Sequence, residues 1–184
     1  MRSDRLKWNE KYLKKPYSNH PAAVVKKYHT LALQGKALDI AAGNGRNALF
    51  LAENGFTVDA VDISEVALAR LPNRHPQVFP ICMDLDDFVI PSRRYNLIVN
   101  IRFLSRRLYP FIKEGLAPGG VLIFETYIEG PRGAAHGPSC HDYLLRENEL
   151  LQVFRSLQII FYQEKKQGRH GEKRNTATLV ARKS

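Results

Sequence analysis

Three carboxylates and two glycines hold most of the chemical information in this chain. The run Asp39-Ile-Ala-Ala-Gly43-Asn-Gly45-Arg46-Asn-Ala48 places two glycines just after a short apolar stretch. Bare backbone at the start of a helix lets a ligand lie against it. The same residues satisfy the dinucleotide fingerprint G-x-G-x-x-G/A, with Ala48 in the third position and an acidic residue, Asp62, 19 positions beyond Gly43. Asp39 discriminates between the two ligand classes this allows, because a carboxylate close to the turn repels a pyrophosphate and attracts an ammonium. Asp62 ends the second apolar run, where it can accept hydrogen bonds from both hydroxyls of a ribose. Asp84 ends the third, positioned to accept from an adenine amino group while the Leu85 N–H faces a ring nitrogen. Together these residues specify a nucleoside that carries an amino acid.

The elements that must position them follow from hydrophobic spacing and turn residues. Residues 5–15 form a short helix closed by Pro16, and Pro21 opens a second helix reaching about residue 33. Short apolar runs at 36–41, 56–61, 78–83, 95–101, 119–125, 157–163 and 176–182 read as seven strands. Helices are expected at 47–55, after a Ser64 cap, at 105–115 and at 147–154, and a Pro-Gly-Gly turn should launch the fifth strand. Strands alternating with helices and ending in a hairpin imply an α/β three-layer sandwich, mostly parallel with one antiparallel strand near its edge. In such sheets ligands bind at the carboxyl ends of the strands. The chain divides into an N-terminal helical lid or appendage, 1–35, and one ligand-binding unit, 36–184.

Composition narrows the class. The 184 residues are 44% hydrophobic and 25% charged, as in an ordinary globular protein, and no repeat or low-complexity segment occurs. Two cysteines, Cys82 and Cys140, are too few for a disulfide framework and lack metal spacing, so no metal and a cytoplasmic location are expected. No run approaches the ~20 apolar residues of a membrane span. Lys and Arg number 28 against 18 Asp and Glu, a net charge of +10, which allows nucleic acid, an anionic small molecule or plain solubility.

At Leu-Asp39-Ile-Ala-Ala-Gly43-Asn-Gly45, Val-Asp62-Ile63-Ser, Met-Asp84-Leu85, Tyr-Asn-Leu-Ile-Val-Asn100 and Leu-Ala-Pro-Gly119-Gly120-Val-Leu, the sequence resembles the class I S-adenosylmethionine-dependent methyltransferases, over roughly 37–184. The Gly-Asn-Gly-Arg-Asn turn, the Trp-Asn-Glu-Lys-Tyr opening and the Ala-Thr-Leu-Val-Ala-Arg-Lys ending look like the tellurite-resistance (TehB-like) and thiopurine-type members that act on small molecules. The resemblance implies a Rossmann-like fold and S-adenosylmethionine as cofactor, with S-adenosylhomocysteine as product. It implies that Asp39 and the Asn100 carbonyl hold the methionine ammonium and that Gly43 and Gly45 make room for the cofactor. Asp62, with Ile63 beside it, takes the ribose, Asp84 and Leu85 the adenine, and Arg46 the methionine carboxylate. The chain departs from the commonest pattern at Ala42 and Asn96, and neither change removes a cofactor contact.

Methyl transfer from a sulfonium is an in-line displacement that depends mainly on positioning, so no catalytic base stands out; Tyr12, Arg169 and His170 are the catalytic candidates. Substrate determinants fall in segments that leave the strand ends: Trp8 and Tyr12 in the N-terminal helix, Arg102, Arg106 and Arg107 after the fourth strand, His136 in the loop, and Arg169-His170 in the last hairpin. Such a basic mouth suits a soft or anionic acceptor, namely a thiol or a selenium or tellurium species. The alternatives are a tRNA- or rRNA-directed methyltransferase, with nucleic acid as the less favoured partner, a NAD-dependent oxidoreductase, and a non-catalytic cofactor-binding protein. Oligomeric state is left open.

Overall fold

The computed structural model describes residues 2–14, 17–71, 75–129, 143–165 and 175–184. Its seven strands form one sheet in the order β3-β2-β1-β4-β5-β7-β6: β1 (Lys36–Ile40), β2 (Thr57–Asp62), β3 (Val78–Cys82), β4 (Tyr95–Ile101), β5 (Leu116–Tyr127), β6 (Gln158–Lys165) and β7 (Thr176–Arg182). The first five strands pair in parallel, and β7 runs antiparallel to both β5 and β6. The antiparallel strand therefore sits one position in from the edge. Strand order reverses between β1 and β4, where Ile40 pairs with Asn100, and this switch point places Asp39, Asn100 and the glycine turn together.

The helices are α1 (Arg2–Lys14), α2 (Ala23–Tyr28), α3 (Arg46–Glu53), α4 (Glu65–Leu68), α5 (Leu108–Gly115) and α6 (Glu149–Val153). Alternation along the strands sends apolar side chains to both faces. Leu38, Ile40, Ile98 and Phe124 pack with Leu108 and Ile112 of α5 and with Leu150 of α6. Ala37, Val58, Val99 and Ile123 pack with Val24 and Val25 of α2 and with Ala48 and Leu51 of α3. The segment expected to be an appendage is thus divided: α2 contributes to the core, and α1 lies outside it against α4. α2 is also shorter than its spacing suggests. His29 Nδ1 lies 3.2 and 3.0 Å from the carbonyl oxygens of Val25 and Lys26, and a single 3-10 turn, His29–Leu31, ends the helix.

The Pro-Gly-Gly segment does not launch β5 but lies inside it. Tyr95 pairs with Leu116 and Leu97 with Val121, so residues 117–120 bulge from the ladder, with Gly119 at φ 73°. The chain end then ties down α5. Lys183 Nζ donates to the carbonyls of Lys113 (2.9 Å), Glu114 (3.2 Å) and Leu116 (2.8 Å), a cationic cap on a helix C-terminus. Replacing Lys183 by Met should lower unfolding stability in urea by about 2 kcal/mol without altering ligand binding.

Candidate active site

β1 ends in a turn that the sequence builds for close approach. Ala41 (φ 54°), Gly43 (φ 59°) and Gly45 (φ 72°) all occupy left-handed backbone, which is strained for the alanine and suits the glycines. A Cβ on Gly45 would stand 1.8 Å from Leu71 Cδ2, so this glycine is required by packing as well as by conformation. A Cβ on Gly43 would stand 2.3 Å from the Tyr12 hydroxyl. Tyr12 therefore roofs the turn. It is buried, packs against Tyr17 with ring centroids 4.3 Å apart and planes tilted by 35°, and its carbonyl accepts from Arg70. Burial and the nearby Asp62 charge push its hydroxyl well above the ordinary tyrosine range. α1 is fixed to α4 by Ser64 Oγ donating to Asn9 Oδ1 (2.8 Å) and Asn9 Nδ2 donating to Glu65 Oε1 (3.1 Å).

Under this roof the three expected carboxylates have different environments. Asp39 is 1% exposed, and its Oδ2 has no hydrogen-bond partner among the described residues. Desolvation raises its carboxyl to about 7, against the lowering influence of Arg46 and the Ala48 N–H. Asp62 accepts from Gly43 N–H at Oδ2 and from Ser64 N–H at Oδ1, both at 2.8 Å, and burial outweighs these bonds to raise its carboxyl. Asp62 thus couples the end of β2 to the glycine turn, a role its sequence position does not reveal, and the Ile63 N–H is a third donor to it. Ser64 caps α4 as expected, its Oγ accepting from Ala67 N–H at 3.1 Å. Asp84 closes a tight turn with Oδ1 accepting from Asp86 N–H, and the adjoining Leu85 is buried. Ile63 is half-buried, its carbonyl accepting from Cys82 Sγ at 3.7 Å.

At the β4 end, the buried Asn100 donates from Nδ2 to Phe103 O at 2.8 Å, pinning the segment that follows. Arg102 is exposed and left-handed (φ 60°), and its N–H donates to Glu125 O at 2.7 Å. Arg46, in the first turn of α3, donates to His20 O. Burial and the neighbouring Arg102 charge lower its guanidinium below the usual range, while Asp39, Tyr12 and Glu125 favour its charged form. Arg46 thus lies amid Asp39, Tyr12, Arg102 and Glu125, and the sequence reading passed over Glu125, whose Oε2 accepts from Thr178 Oγ1.

The structure does not bring every predicted residue to this place. Arg106 is engaged by Glu149 through two 2.8 Å bonds and by Leu144 O, and Arg107 reaches Leu85 O, so the basic mouth expected from 102–107 reduces to Arg102. Trp8 is 37% exposed, with the Lys11 ammonium 4.3 Å from its ring centre. His136, Cys140, Arg169 and His170 lie outside the described residues. Residues 17–22 were missed as a contributor: Asn44 Nδ2 reaches Ser18 O and Asn19 Oδ1, and Ala22 N–H donates to Asn47 Oδ1. The polar run Tyr-Ser-Asn-His before Pro21 was its only signal. Among the described residues no group of His, Cys, Asp and Glu could hold a metal, and no helix is long and apolar enough to cross a membrane.

This architecture has known counterparts. Residues 37–120 match the family model of a methyltransferase domain, and no curated protein sequence matches the chain. Among solved structures, TehB from Haemophilus influenzae is 22% identical with a TM-score of 0.71, over 98% of this chain and 67% of that one. The 1,6-didemethyltoxoflavin-N1-methyltransferase of Burkholderia thailandensis, solved with 1,6-didemethyltoxoflavin and S-adenosylhomocysteine, is 17% identical with a TM-score of 0.71, over 100% and 87%. A protein of echinomycin biosynthesis, described by the conversion of a disulfide bond into a thioacetal group, is 17% identical with a TM-score of 0.72, over 98% and 92%. The fold is that of the class I S-adenosylmethionine-dependent methyltransferases. The match to the methyltransferase domain, residues 37–120, runs from β1 to the start of β5, and a methyltransferase is the class of enzyme it supports.

Proposed function

We propose that the chain methylates a small soft or anionic nucleophile at the carboxyl ends of β1, β4 and β5. The observation that carries the cofactor half of this reading is Asp39 Oδ2, a buried carboxylate oxygen without a partner beside a glycine turn. A desolvated carboxylate is stabilised by an adjacent cation, and the ammonium of an amino-acid ligand fits that requirement where a pyrophosphate does not. S-adenosylmethionine supplies the electrophilic methyl group when bound. The chain's own residues then have defined tasks: Asp39 and the Asn100 carbonyl hold the ammonium, Arg46 the carboxylate, Asp62 the ribose, and Asp84 with Leu85 the adenine. Tyr12 and α1 cover the turn and exclude water, which strengthens each of these charged contacts.

For the acceptor, support comes from Arg102, exposed at the β4 end and close to a second guanidinium, an arrangement that favours a negative partner. Disulfide and thioacetal chemistry on a related fold is in keeping with a sulfur acceptor. A NAD-dependent reaction is disfavoured by strand order, since dinucleotide folds continue 3-2-1-4-5-6 without an antiparallel β7 inserted beside β5. Calorimetry should show binding of S-adenosylmethionine and S-adenosylhomocysteine and none of NAD. Tight NAD binding alone would sink the proposal. A panel of thiol, selenol, tellurite and halide acceptors, scored for methylated product, tests the second half; Arg102→Ala should raise KM for an anionic acceptor about tenfold while sparing cofactor affinity.

A further inference from the structure

Arg107 precedes α5, yet its side chain does not cap that helix. It crosses instead to the loop after β3, where Nη2 donates to Leu85 O at 2.9 Å and lies 3.5 Å from Phe88 O. Its guanidinium carbon is 5.5 Å from the centre of the Phe111 ring, so an aromatic face on its own helix backs the reach. The loop it holds is compact. Asp86 N–H donates to Asp84 Oδ1, and the N–H groups of Asp87 and Phe88 both donate to Asp84 O, each at 3.0 Å. Leu85 and Phe88 are buried beneath it, whereas Asp86 and Asp87 are exposed.

Without Arg107 the loop would rest on its own turn and on two apolar anchors, and the carbonyl of Leu85 would lose its side-chain brace. A planar guanidinium bonded to the Leu85 carbonyl fixes the peptide plane which that carbonyl shares with the Asp86 N–H, the donor that holds Asp84 Oδ1. We infer that Arg107 is a positioning residue for the nucleobase: through the Leu85–Asp86 peptide it sets the Asp84 carboxylate at one angle to the ring edge that carboxylate reads. The inference rests on the assignment of Asp84 and Leu85 to the adenine. It adds a mechanical link, since Arg107 ends the segment that Asn100 pins at Phe103, so the base-reading loop and the acceptor side of the cleft share one brace.

The test is a ratio rather than an affinity. S-adenosylhomocysteine and S-inosylhomocysteine differ only in the base, the amino group being replaced by a carbonyl oxygen and N1 gaining a hydrogen, and calorimetry gives the preference of each variant for adenine. Wild type should prefer adenine, Asp84→Asn should reduce that preference, and Arg107→Ala should reduce it about tenfold. Arg107→Lys, with one ammonium able to reach Leu85 O, should recover part of it and serves as the readable variant if Arg107→Ala does not fold. Equal weakening of both ligands by the Arg107 variants, with Asp84→Asn still lowering the preference, would make Arg107 merely structural and overturn the inference. An unchanged preference in Asp84→Asn would overturn the adenine assignment itself, and the role of Arg107 with it.

Discussion

Asp62→Ala should both destabilise the protein and remove most of its cofactor affinity. The carboxylate is 6% exposed and is the acceptor for two buried backbone donors, Gly43 N–H and Ser64 N–H, at 2.8 Å each. Alanine leaves both without that acceptor, and an unsatisfied buried donor costs about 1–3 kcal/mol, so a loss of about 2–4 kcal/mol in unfolding stability is expected. The ribose contact adds a further loss of about 2–3 kcal/mol in binding, roughly 30- to 150-fold in dissociation constant. Asp62→Asn keeps one acceptor oxygen and should fall between. Urea unfolding and calorimetry with S-adenosylhomocysteine separate the two effects. Wild-type stability with lost binding would mean that Asp62 does not brace the turn; wild-type affinity would mean that the ribose lies elsewhere.

That double role marks the boundary of what the sequence makes legible. Strands are read from runs of apolar residues, and the expected 95–101 and 176–182 coincide with β4 and β7 because burial on both faces leaves little polar ambiguity there. The acidic residues at the ends of such runs are equally visible, although their structural bonds, such as those of Asp62 to Gly43 and Ser64, are not. What stays hidden depends on partners distant in sequence. Arg106 and Arg107 look alike as neighbouring basic residues, yet one is held by Glu149 and the other crosses to Leu85, and no local pattern distinguishes them. Pro118-Gly119-Gly120 reads as a turn because those residues form turns in most contexts; here β4 and β7 flank β5 and hold both sides of the bulge within the ladder. Nor does helical spacing tell whether Tyr12 packs or covers a cleft. Its contact with Gly43 places it over the glycine turn, because the hydroxyl occupies the volume that the missing Cβ leaves.

Asp39→Asn should have opposite effects on the free protein and on its complex. Burial raises the Asp39 carboxyl from an ordinary value near 4 to about 7. Between those values the folded state holds a proton that the unfolded state has released, so this group makes the free protein less stable as pH rises from about 4 to 7, after which the effect levels off. Asparagine carries no charge to desolvate. The substitution should therefore be nearly neutral near pH 4 and stabilise the free protein increasingly up to about pH 7, by about 4 kcal/mol at pH 8, measured by urea unfolding across that range. Binding an ammonium reverses the sign, because only the ionised carboxylate attracts it: wild-type affinity for S-adenosylhomocysteine should rise as pH passes upward through 7. In Asp39→Asn that rise should flatten, with about 30-fold weaker binding at pH 8 for the loss of one charged hydrogen bond. A stability gain independent of pH would show that Asp39 does not titrate in this range. Retained affinity would place the ammonium elsewhere, and the unpartnered oxygen beneath the glycine turn would then be a strain the fold tolerates without using.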